Sequence, residues 1–343
     1  MSQTRTYTLH FSLLIAILFL CFLVNISLGS VSISFLDTLK ALVGMELNNP
    51  SWEYIIWSYR IPKALTALLA GAGLALSGLL MQTLFRNPLA GPFVLGISSG
   101  ASLGAALLIM GISLLGGVLS DTYVNDITLA IASSLGSFLV LFLVIGMATR
   151  VKDTMALLII GLMFGSITAA VVSVLSYLTS SEKLQQYVFW TFGSVGGLSW
   201  SQLGILSTMV FVGVLLCIRT VKSLNGYLLG ENYAQSLGIN LRTSRYIIIV
   251  ATGILAGSIT AFTGPIAFIG LAVPHLTRQI FNTTDHKILV PAVLIYGSCI
   301  LLLCDVLAQL PGQAAVLPIN AITSIIGAPV VIWLLMRKRK MIF

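Results

Sequence analysis

Charged side chains are scarce in this sequence and absent from its long apolar stretches. Only 8% of the 343 residues are charged, whereas soluble domains carry about 25%. Seven stretches contain no Asp, Glu, Lys or Arg, namely 9–35, 64–85, 127–149, 154–178, 193–218, 246–276 and 319–336. A charge near the middle of a bilayer costs about 2.5–3.5 kcal/mol on insertion scales. This avoidance excludes an ordinary soluble domain and predicts a protein whose helices cross a membrane.

Sequence patterns that would indicate bound groups or catalysis are also missing. The four cysteines lie in apolar stretches without a Cys-x-x-Cys pair, so we interpret them as small buried residues and expect no disulfide or metal site. No Gly-x-x-x-x-Gly-Lys-Ser/Thr loop is present, which excludes ATP binding by that route, and we expect no cofactor. No Ser/His, paired-Asp or His-Glu-x-x-His arrangement has a workable spacing, which argues against an intramembrane enzyme.

The apolar stretches provide about ten membrane crossings, since each crossing of the ~30 Å hydrocarbon core needs about 20 residues. The candidates are 9–29, 61–84, 92–112, 127–148, 154–178, 193–217, 246–263, 266–281, 288–306 and 320–336. Proline and glycine interrupt the third, seventh and eighth candidates. The first stretch lacks a small-residue cleavage site, so we expect a retained helix rather than a signal peptide. The predicted fold is an all-α polytopic membrane protein with a single domain over residues 1–343.

The 18 Lys and Arg residues outnumber the 10 Asp and Glu residues, which gives a net charge of +8. With ten crossings and an internal N-terminus, most of the basic residues lie on the cytoplasmic side, including Lys152 and Arg337–Lys340. The positive-inside rule therefore predicts that both termini are cytoplasmic. Because topology accounts for the basic residues, we expect membrane lipid around the chain and no nucleic-acid partner.

Small residues recur four positions apart in the apolar stretches, a spacing that lets helix backbones approach closely in a membrane. The glycine pairs are Gly100/Gly104, Gly161/Gly165, Gly193/Gly197 and Gly253/Gly257. A role in lining a pore or forming a hinge is the alternative. Residues 67–78 and 250–260 also resemble one another in opposite membrane orientations, which suggests an inverted repeat.

A proline-containing run, FRNPLAGP, follows the second candidate crossing. Its prolines, Pro88 and Pro92, stand four residues apart and cannot share one unbroken helix. Broken backbone is not tolerated in lipid, so the run lies at an interface or lines a cavity inside the protein. An ordinary cytoplasmic turn anchored by Arg86 is the alternative.

The cytoplasmic loop at about 219–245 contains a short amphipathic run, LLGENYAQSLG. Glu231 suits the positive N-terminal end of a helix, and Gly238 is placed to end that helix in a left-handed conformation. Tyr233 and Leu237 stand four apart and share a face beside Ala234. We expect this helix either to lie on the membrane surface or to dock a soluble partner.

A second broken segment extends over Thr263–Arg278, contains Pro265 and Pro274, and ends in the basic anchor Arg278. His275 within it has no second His, Cys or acid at ligand spacing. A hydrogen-bonded histidine near the interface is therefore favoured over a metal ligand.

These three features, in this order, resemble the permeases of type II ABC importers, the FecCD-type family that takes up iron-siderophores, haem and vitamin B12. The matching runs are RIPKALTALLAGAGLALSGLLMQTLFRNPLAGPFVLGISSGA, LGENYAQSLGI, GPIAFIGLAVPHLTR, TDHKILVP and LPINAITSIIGAPVVIWLL. They cover nearly the whole chain from about Ser58 onward. The family has ten helices per subunit and paired subunits, so the resemblance implies a second permease subunit, with a homodimer expected.

The resemblance also implies roles for residues at matching positions. In the family a coupling helix seats on a separate ATPase, and the matching residues here are Gly230, Glu231, Tyr233, Ala234, Leu237 and Gly238. The residues that match the family's cytoplasmic gate are Asn87, Leu89, Thr154 and Met155. The residues that match the positions docking to an acidic surface of an extracytoplasmic binding protein are Arg60, Lys63 and Gln309. Lys63 stands where arginine is more usual, and Gln309 stands where a basic residue is expected.

In this interpretation the chain is a transport subunit and not an enzyme, and a dimer of separate ATPase chains binds ATP and Mg. The translocation path is expected to be uncharged, which leaves specificity to the binding protein. By family analogy the path includes Met163, Ser166, Thr168, Ser173, Thr323 and Ser324. The expected location is the cell inner membrane. The expected cargo is a ferric siderophore or similar large metal chelate, with haem and cobalamin as alternatives.

A secondary transporter driven by an ion gradient is the competing hypothesis. Such proteins usually carry ionisable residues inside the membrane. In this chain only Asp305, near the outer end of a crossing, and His275 come close. This scarcity favours a permease that is powered by another chain.

Overall fold

The computed structural model describes residues 2–47, 49–111, 124–151, 153–309 and 315–336, and most of these residues are helical. The helices are α1 (Ser2–Ser27), α2 (Phe35–Val43), α3 (Pro50–Ile55), α4 (Ile61–Leu84), α5 (Ile97–Ala106), α6 (Asp126–Arg150), α7 (Thr154–Leu178), α8 (Ser181–Thr191), α9 (Trp200–Leu228), α10 (Glu231–Ser236), α11 (Leu241–Thr263), α12 (Ile269–Phe281), α13 (His286–Ala308) and α14 (Ile319–Met336). π-helical turns over Ile56–Arg60 and Leu107–Gly111 join α3 to α4 and extend α5, and a 3₁₀ turn over Pro92–Leu95 precedes α5. Lys152 and Arg337–Lys340, on which part of the predicted orientation depends, lie outside the described residues.

Within the described ranges, seven helices are long and apolar enough to cross a membrane. They are α1, the continuous unit of α3 and α4, α6, α7, α9, α11 and α13. The other three predicted crossings correspond to the shorter helices α5, α12 and α14. The predicted all-α polytopic fold is confirmed. The count of ten crossings, the cytoplasmic termini and the inverted repeat stay predictions.

Helix α4 is the central helix of the subunit. Every residue over 70–84 is buried, because α9, α11, α12 and α13 all pack against this helix. Gly71 faces Gly297 of α13, and Gly78 faces Gly270 of α12, so closely that an added Cβ would overlap the opposing carbonyl group. Small residues on α4 therefore let three helix backbones approach one another, as their spacing predicts.

Two of the predicted glycine pairs lie at close helix contacts. An added Cβ on Gly100 would lie 2.5 Å from the carbonyl oxygen of Gly136 on α6. An added Cβ on Gly161 of α7 would overlap the backbone at Val94 and Leu95. The proline turn and α5 are therefore held directly against α6 and α7.

The pair Gly193/Gly197 is an exception, and the prediction of a crossing that begins at residue 193 is wrong. Both glycines lie in a loop with positive φ, +71° and +97°. Helix α9 begins only at Trp200, where the side chains of Ser199 and Gln202 cap each other's backbone N–H groups. This reciprocal cap, which sequence patterns of the S-x-x-Q type predict, fixes the start of the helix.

Candidate functional site

Helix α10, in the loop between α9 and α11, begins and ends where the sequence predicts. Gly230 precedes it with φ +104°, a conformation that favours glycine. At the other end Gly238 has φ +75°, and its N–H donates to Gln235 O at 2.9 Å. The left-handed end predicted for this helix is therefore present.

The two apolar side chains of α10 are exposed. Tyr233 is 54% exposed and Leu237 is 49% exposed. Ala234, in contrast, is fully buried and packs against Gly226 of α9. The helix is thus seated on its small residue and presents its large apolar residues outward. Such a surface suits a membrane or a protein partner.

A charged contact ties α10 to the membrane helices. Arg245 Nη2, on α11, lies 3.4 Å from the Oε1 atom of Glu231, the first residue of α10. Arg245 Nη1 also donates to Val151 O at 3.4 Å, at the end of α6. Arg245 is only 8% exposed. The loop helix, α11 and the α6–α7 connection therefore meet at one guanidinium group, which the sequence reasoning did not identify.

The proline run forms a tight turn between α4 and the 3₁₀ turn. Asn87 Oδ1 accepts a hydrogen bond from the Leu89 N–H at 2.9 Å, and the Leu89 side chain is 41% exposed. His275 of α12 reaches the same turn, with Nε2 3.0 Å from Pro88 O. Since a carbonyl oxygen only accepts, Nε2 donates this bond. His275 is therefore the hydrogen-bonded histidine that the sequence predicts.

The other two predicted gate residues begin helix α7. Asp153 caps this helix, and its Oδ1 accepts from the Met155 N–H at 2.9 Å. Met155 is 50% exposed, and Thr154 is partly exposed. The gate function of these residues, and of Asn87 and Leu89, stays a prediction.

Arg60, one of the predicted docking residues, faces into the protein. Its guanidinium donates to Ile26 O at 2.8 Å, to Ser27 O at 2.7 Å and to Val31 O. The first two carbonyls end α1, where a cation suits the negative end of the helix dipole. Arg60 is 7% exposed and joins the end of α1 to the start of α4.

Lys63 and Gln309 belong to a buried cluster around Asp305. Lys63 Nζ lies 3.1 Å from Asp305 Oδ2. Asn25 Nδ2 and Gln309 Nε2 donate to the same oxygen at 2.8 Å and 3.1 Å. Asp305 is 2% exposed. We call these four residues the outer cluster, after the predicted extracytoplasmic side. It joins the C-terminal ends of α1 and α13 to the start of α4. Asp305, the acid that a secondary transporter would use as a relay, is paired there with a cation.

The docking role of Arg60, Lys63 and Gln309 therefore stays a prediction, and the structure shows only where their side chains lie. All three turn inward because Asp305 and the carbonyl end of α1 supply acceptors within the subunit. The three side chains still share one location. They line a cavity of about 320 Å³ together with Tyr59, which is 61% exposed.

The predicted path residues lie on different faces of their helices. Met163, Ser166 and Ser173 are exposed on α7, but Thr168 on that helix is 5% exposed. With 3.6 residues per turn, residue 168 faces away from residues 163 and 166. Thr323 on α14 is 1% exposed. Both threonines are thus buried within the subunit, and their place in the translocation path stays a prediction.

Helix α14 is joined to the broken segment between α11 and α12 through Asn320. Its Oδ1 accepts from the Ala267 N–H at 3.1 Å, and its N–H donates to Phe192 O at 3.2 Å. Ser324, the remaining predicted path residue, is partly buried and donates to Asn320 O at 2.6 Å. Asn320 thus fixes the start of α14 to the loops on either side.

Arg278, the basic anchor predicted at the end of the broken segment, is buried. It is 4% exposed, and its Nη1 donates to Gln82 Oε1 on α4 at 2.7 Å. Gln82 in turn donates from Nε2 to Leu271 O at 3.1 Å. A charged group this buried requires hydrogen-bonding partners, and α4 provides one.

A further polar network lies where α4, α9 and α13 meet. Asn225 Nδ2 donates to Asp285 Oδ1 at 2.7 Å, and Asn225 Oδ1 accepts from the His286 N–H at 2.9 Å. Thr83 Oγ1 lies 2.9 Å from Nε2 of the buried His286. Burial raises the pKa of Asp285, but hydrogen bonds from the Lys287 N–H and Asn225 outweigh it, so the pKa lies below its ordinary value. The run TDHKILVP therefore caps α13 and locks it to α9.

The sequence profile of the FecCD transport family matches residues 17–337, which is nearly the whole chain. The chain belongs to the FecCD transport family. The vitamin B12 import system permease protein BtuC of Klebsiella pneumoniae subsp. pneumoniae is 40% identical over 287 residues, which cover 84% of each chain. BtuC of Escherichia coli O9:H4 is 35% identical over 291 residues, which cover 85% of this chain and 86% of that protein.

The fold comparison agrees with the sequence comparison. The solved structure of a metal-chelate type ABC transporter in an inward-facing conformation superposes with a TM-score of 0.81 at 30% identity. The match covers 94% of this chain and 97% of that chain. This FecCD-family protein is thus a multi-pass inner-membrane permease of a type II ABC importer.

Proposed function

We propose that this permease moves a large metal chelate across the inner membrane, driven by a separate ATPase dimer that seats on α10. The observation that supports this proposal is the exposed pair Tyr233 and Leu237, on α10 and at its C-terminal end, while Ala234 and Glu231 attach that helix to α9 and α11. A helix attached in this way, with an apolar outer face, can transmit force to or from a partner. Because the sequence has no phosphate-binding loop, ATP and Mg are bound by that partner.

The proposed assembly contains two copies of the permease, two ATPase chains and an extracytoplasmic binding protein. On the outer side, we propose that an acidic side chain of the binding protein enters the cavity lined by Arg60, Lys63 and Gln309. With Lys63 paired to Asp305, the charge of Arg60 leaves the cavity net positive, which favours an acid. Such charges increase the rate and orientation of docking more than its affinity.

Ferric siderophores and cobalamin are both metal chelates, and each has support as the cargo. The relatives at 40% and 35% identity are described as vitamin B12 permeases, and the similar solved structure is described as a metal-chelate type transporter. The exposed face of α7 carries Met163, Ser166 and Ser173 and no charge. An uncharged face selects weakly among chelates, so the binding protein decides which one is carried.

The experiment that tests the proposal replaces Tyr233 and Leu237 with aspartate. Burying a Tyr or Leu side chain contributes roughly 1.5–3 kcal/mol, and each 1.4 kcal/mol is a factor of about ten in affinity. We therefore expect ATPase capture by the permease to fall more than tenfold. Uptake of cobalamin, ferric siderophore or haem into proteoliposomes that contain the whole transporter should fall with it.

The matched control adds two carboxylates to the opposite side of the same helix, in the variant Asn232→Asp/Gln235→Asp. Both positions are exposed, so this variant should keep capture and uptake close to wild type. Normal capture and uptake in the Tyr233→Asp/Leu237→Asp variant would refute the coupling role of α10. Uptake that continues without ATP would refute the importer assignment.

A further inference from the structure

The contacts of Arg245 connect two segments that the proposed function needs to move together. The guanidinium lies 3.4 Å from Glu231 Oε1 through Nη2 and 3.4 Å from Val151 O through Nη1. Glu231 begins α10. Val151 is the residue that ends α6, since its N–H donates to Met147 O at 2.9 Å. The two partners are thus bound by different nitrogens of one planar group.

The α6–α7 connection is short, so a displacement at its first residue reaches α7. Asp153, two positions after Val151, caps α7 and accepts from the Met155 N–H. The Leu157 N–H donates to Asp153 O at 3.2 Å, which completes the first turn. A pull on the Val151 carbonyl therefore acts on the beginning of α7 through two peptide units and a helix cap.

Arginine is suited to this connection in a way that lysine is not. Its guanidinium is planar and presents several N–H donors in a fixed fork, so it holds two acceptors at a set distance. Arg245 is 8% exposed, and a charge removed from water makes stronger hydrogen bonds than an exposed one. Arg242, one turn earlier, is exposed and lies over the Tyr246 ring instead.

We propose that Arg245 is a positioning residue that passes displacement of α10 to the beginning of α7. This inference rests on the proposed function, because α10 moves only if an ATPase seats on it. It adds the connection between that motor contact and the α7 end of the membrane domain. The contacts with Glu231 and Val151 are those on which this role depends.

The first test uses the permease alone and measures amide hydrogen exchange by mass spectrometry. The variant Arg245→Gln should increase exchange about tenfold in both segments, residues 153–157 and residues 231–237. The matched control Arg242→Gln should change neither segment. Faster exchange in residues 231–237 alone would show that Arg245 holds only the loop helix, and the proposal would be wrong. Unchanged exchange in both segments would overturn it as well.

The second test measures substrate transported per ATP hydrolysed in proteoliposomes that contain the whole transporter. Arg245→Gln should keep ATPase capture, because Tyr233 and Leu237 remain, but should lower this ratio at least fivefold. Arg245→Lys keeps the charge without the fork and should restore less than half of the lost ratio. A merely structural role would reduce the amount of transporter and leave the ratio unchanged, and that result would refute the proposal. If wild type shows no ATP-dependent uptake, the proposed function fails, while the exchange experiment still decides the role of Arg245.

Discussion

The pair of the partly buried Lys63 and the buried Asp305 yields the sharpest stability prediction. At an N–O distance of 3.1 Å and an effective dielectric constant of about 20, the Coulomb attraction is about 5 kcal/mol. Desolvation offsets part of this attraction, but removing one partner leaves the other charge buried and uncompensated. Breaking such a pair costs about 3–5 kcal/mol. The change Asp305→Asn should therefore strongly destabilise the protein.

The assay is thermal unfolding in detergent, measured as a melting temperature. At about 2 °C per kcal/mol, Asp305→Asn should lower the melting temperature by about 6–10 °C. The double variant Lys63→Met/Asp305→Asn removes both charges and should recover most of this loss, because no charge is left unpaired. The control Lys40→Met breaks an exposed pair with Asp37 and should cost less than about 1 kcal/mol.

The double variant also separates a structural pair from a proton relay. If the outer cluster only joins helix ends, Lys63→Met/Asp305→Asn should keep ATP-dependent uptake. A double variant that is stable but inactive, with ATPase capture intact, would contradict a purely structural pair and support the ion-coupled alternative. A melting temperature for Asp305→Asn within 1 °C of wild type would refute the calculation.

Two further predictions concern packing and pH. Gly78→Ala should lower the free energy of unfolding by at least about 1–3 kcal/mol, because its Cβ would overlap the Gly270 backbone. Gly146→Ala has open space around it and should leave the free energy of unfolding unchanged or raise it by less than about 1 kcal/mol. Equal melting temperatures for the two variants would contradict this. Because the pKa of Asp285 is lowered in the folded protein, its stabilisation is present above the ordinary value of about 3.9 and is lost as pH falls through the lowered pKa. The melting temperature of Asp285→Asn should thus lie below that of wild type at pH 7 and approach it near pH 3. An equal difference in melting temperature at both pH values would show that ionisation of Asp285 does not contribute to stability.

The features predicted correctly are those decided by neighbouring residues. The ends of α10 follow from Gly230 and Gly238, whose positive φ values need no contact from elsewhere. The broken helix at Pro88 and Pro92 follows from proline's missing N–H. Each of these outcomes depends on chemistry within a few positions along the chain.

The features missed depend on contacts between distant parts of the chain. Lys63 pairs with Asp305 across 242 positions, and a single sequence shows neither the pairing nor the inward direction of the lysine. Thr168 illustrates a second difficulty, since its hydroxyl donates to Gly165 O of its own helix at 2.8 Å. A threonine whose hydroxyl is hydrogen-bonded within its own helix is tolerated on a buried or an exposed face. Its polarity therefore does not indicate that it lines a translocation path.

The burial of every residue over 70–84 of α4 has a consequence for chemical probing of this permease. A photoreactive reagent dissolved in the bilayer would reach Phe19 on α1 and Phe142 on α6, which are 64% and 76% exposed. It would leave residues 70–84 unlabelled, although their helix is apolar enough to cross a membrane. The apolar character of a helix alone is thus a poor guide to whether it contacts lipid. A small-molecule inhibitor aimed at the centre of this permease must approach from one of the aqueous compartments.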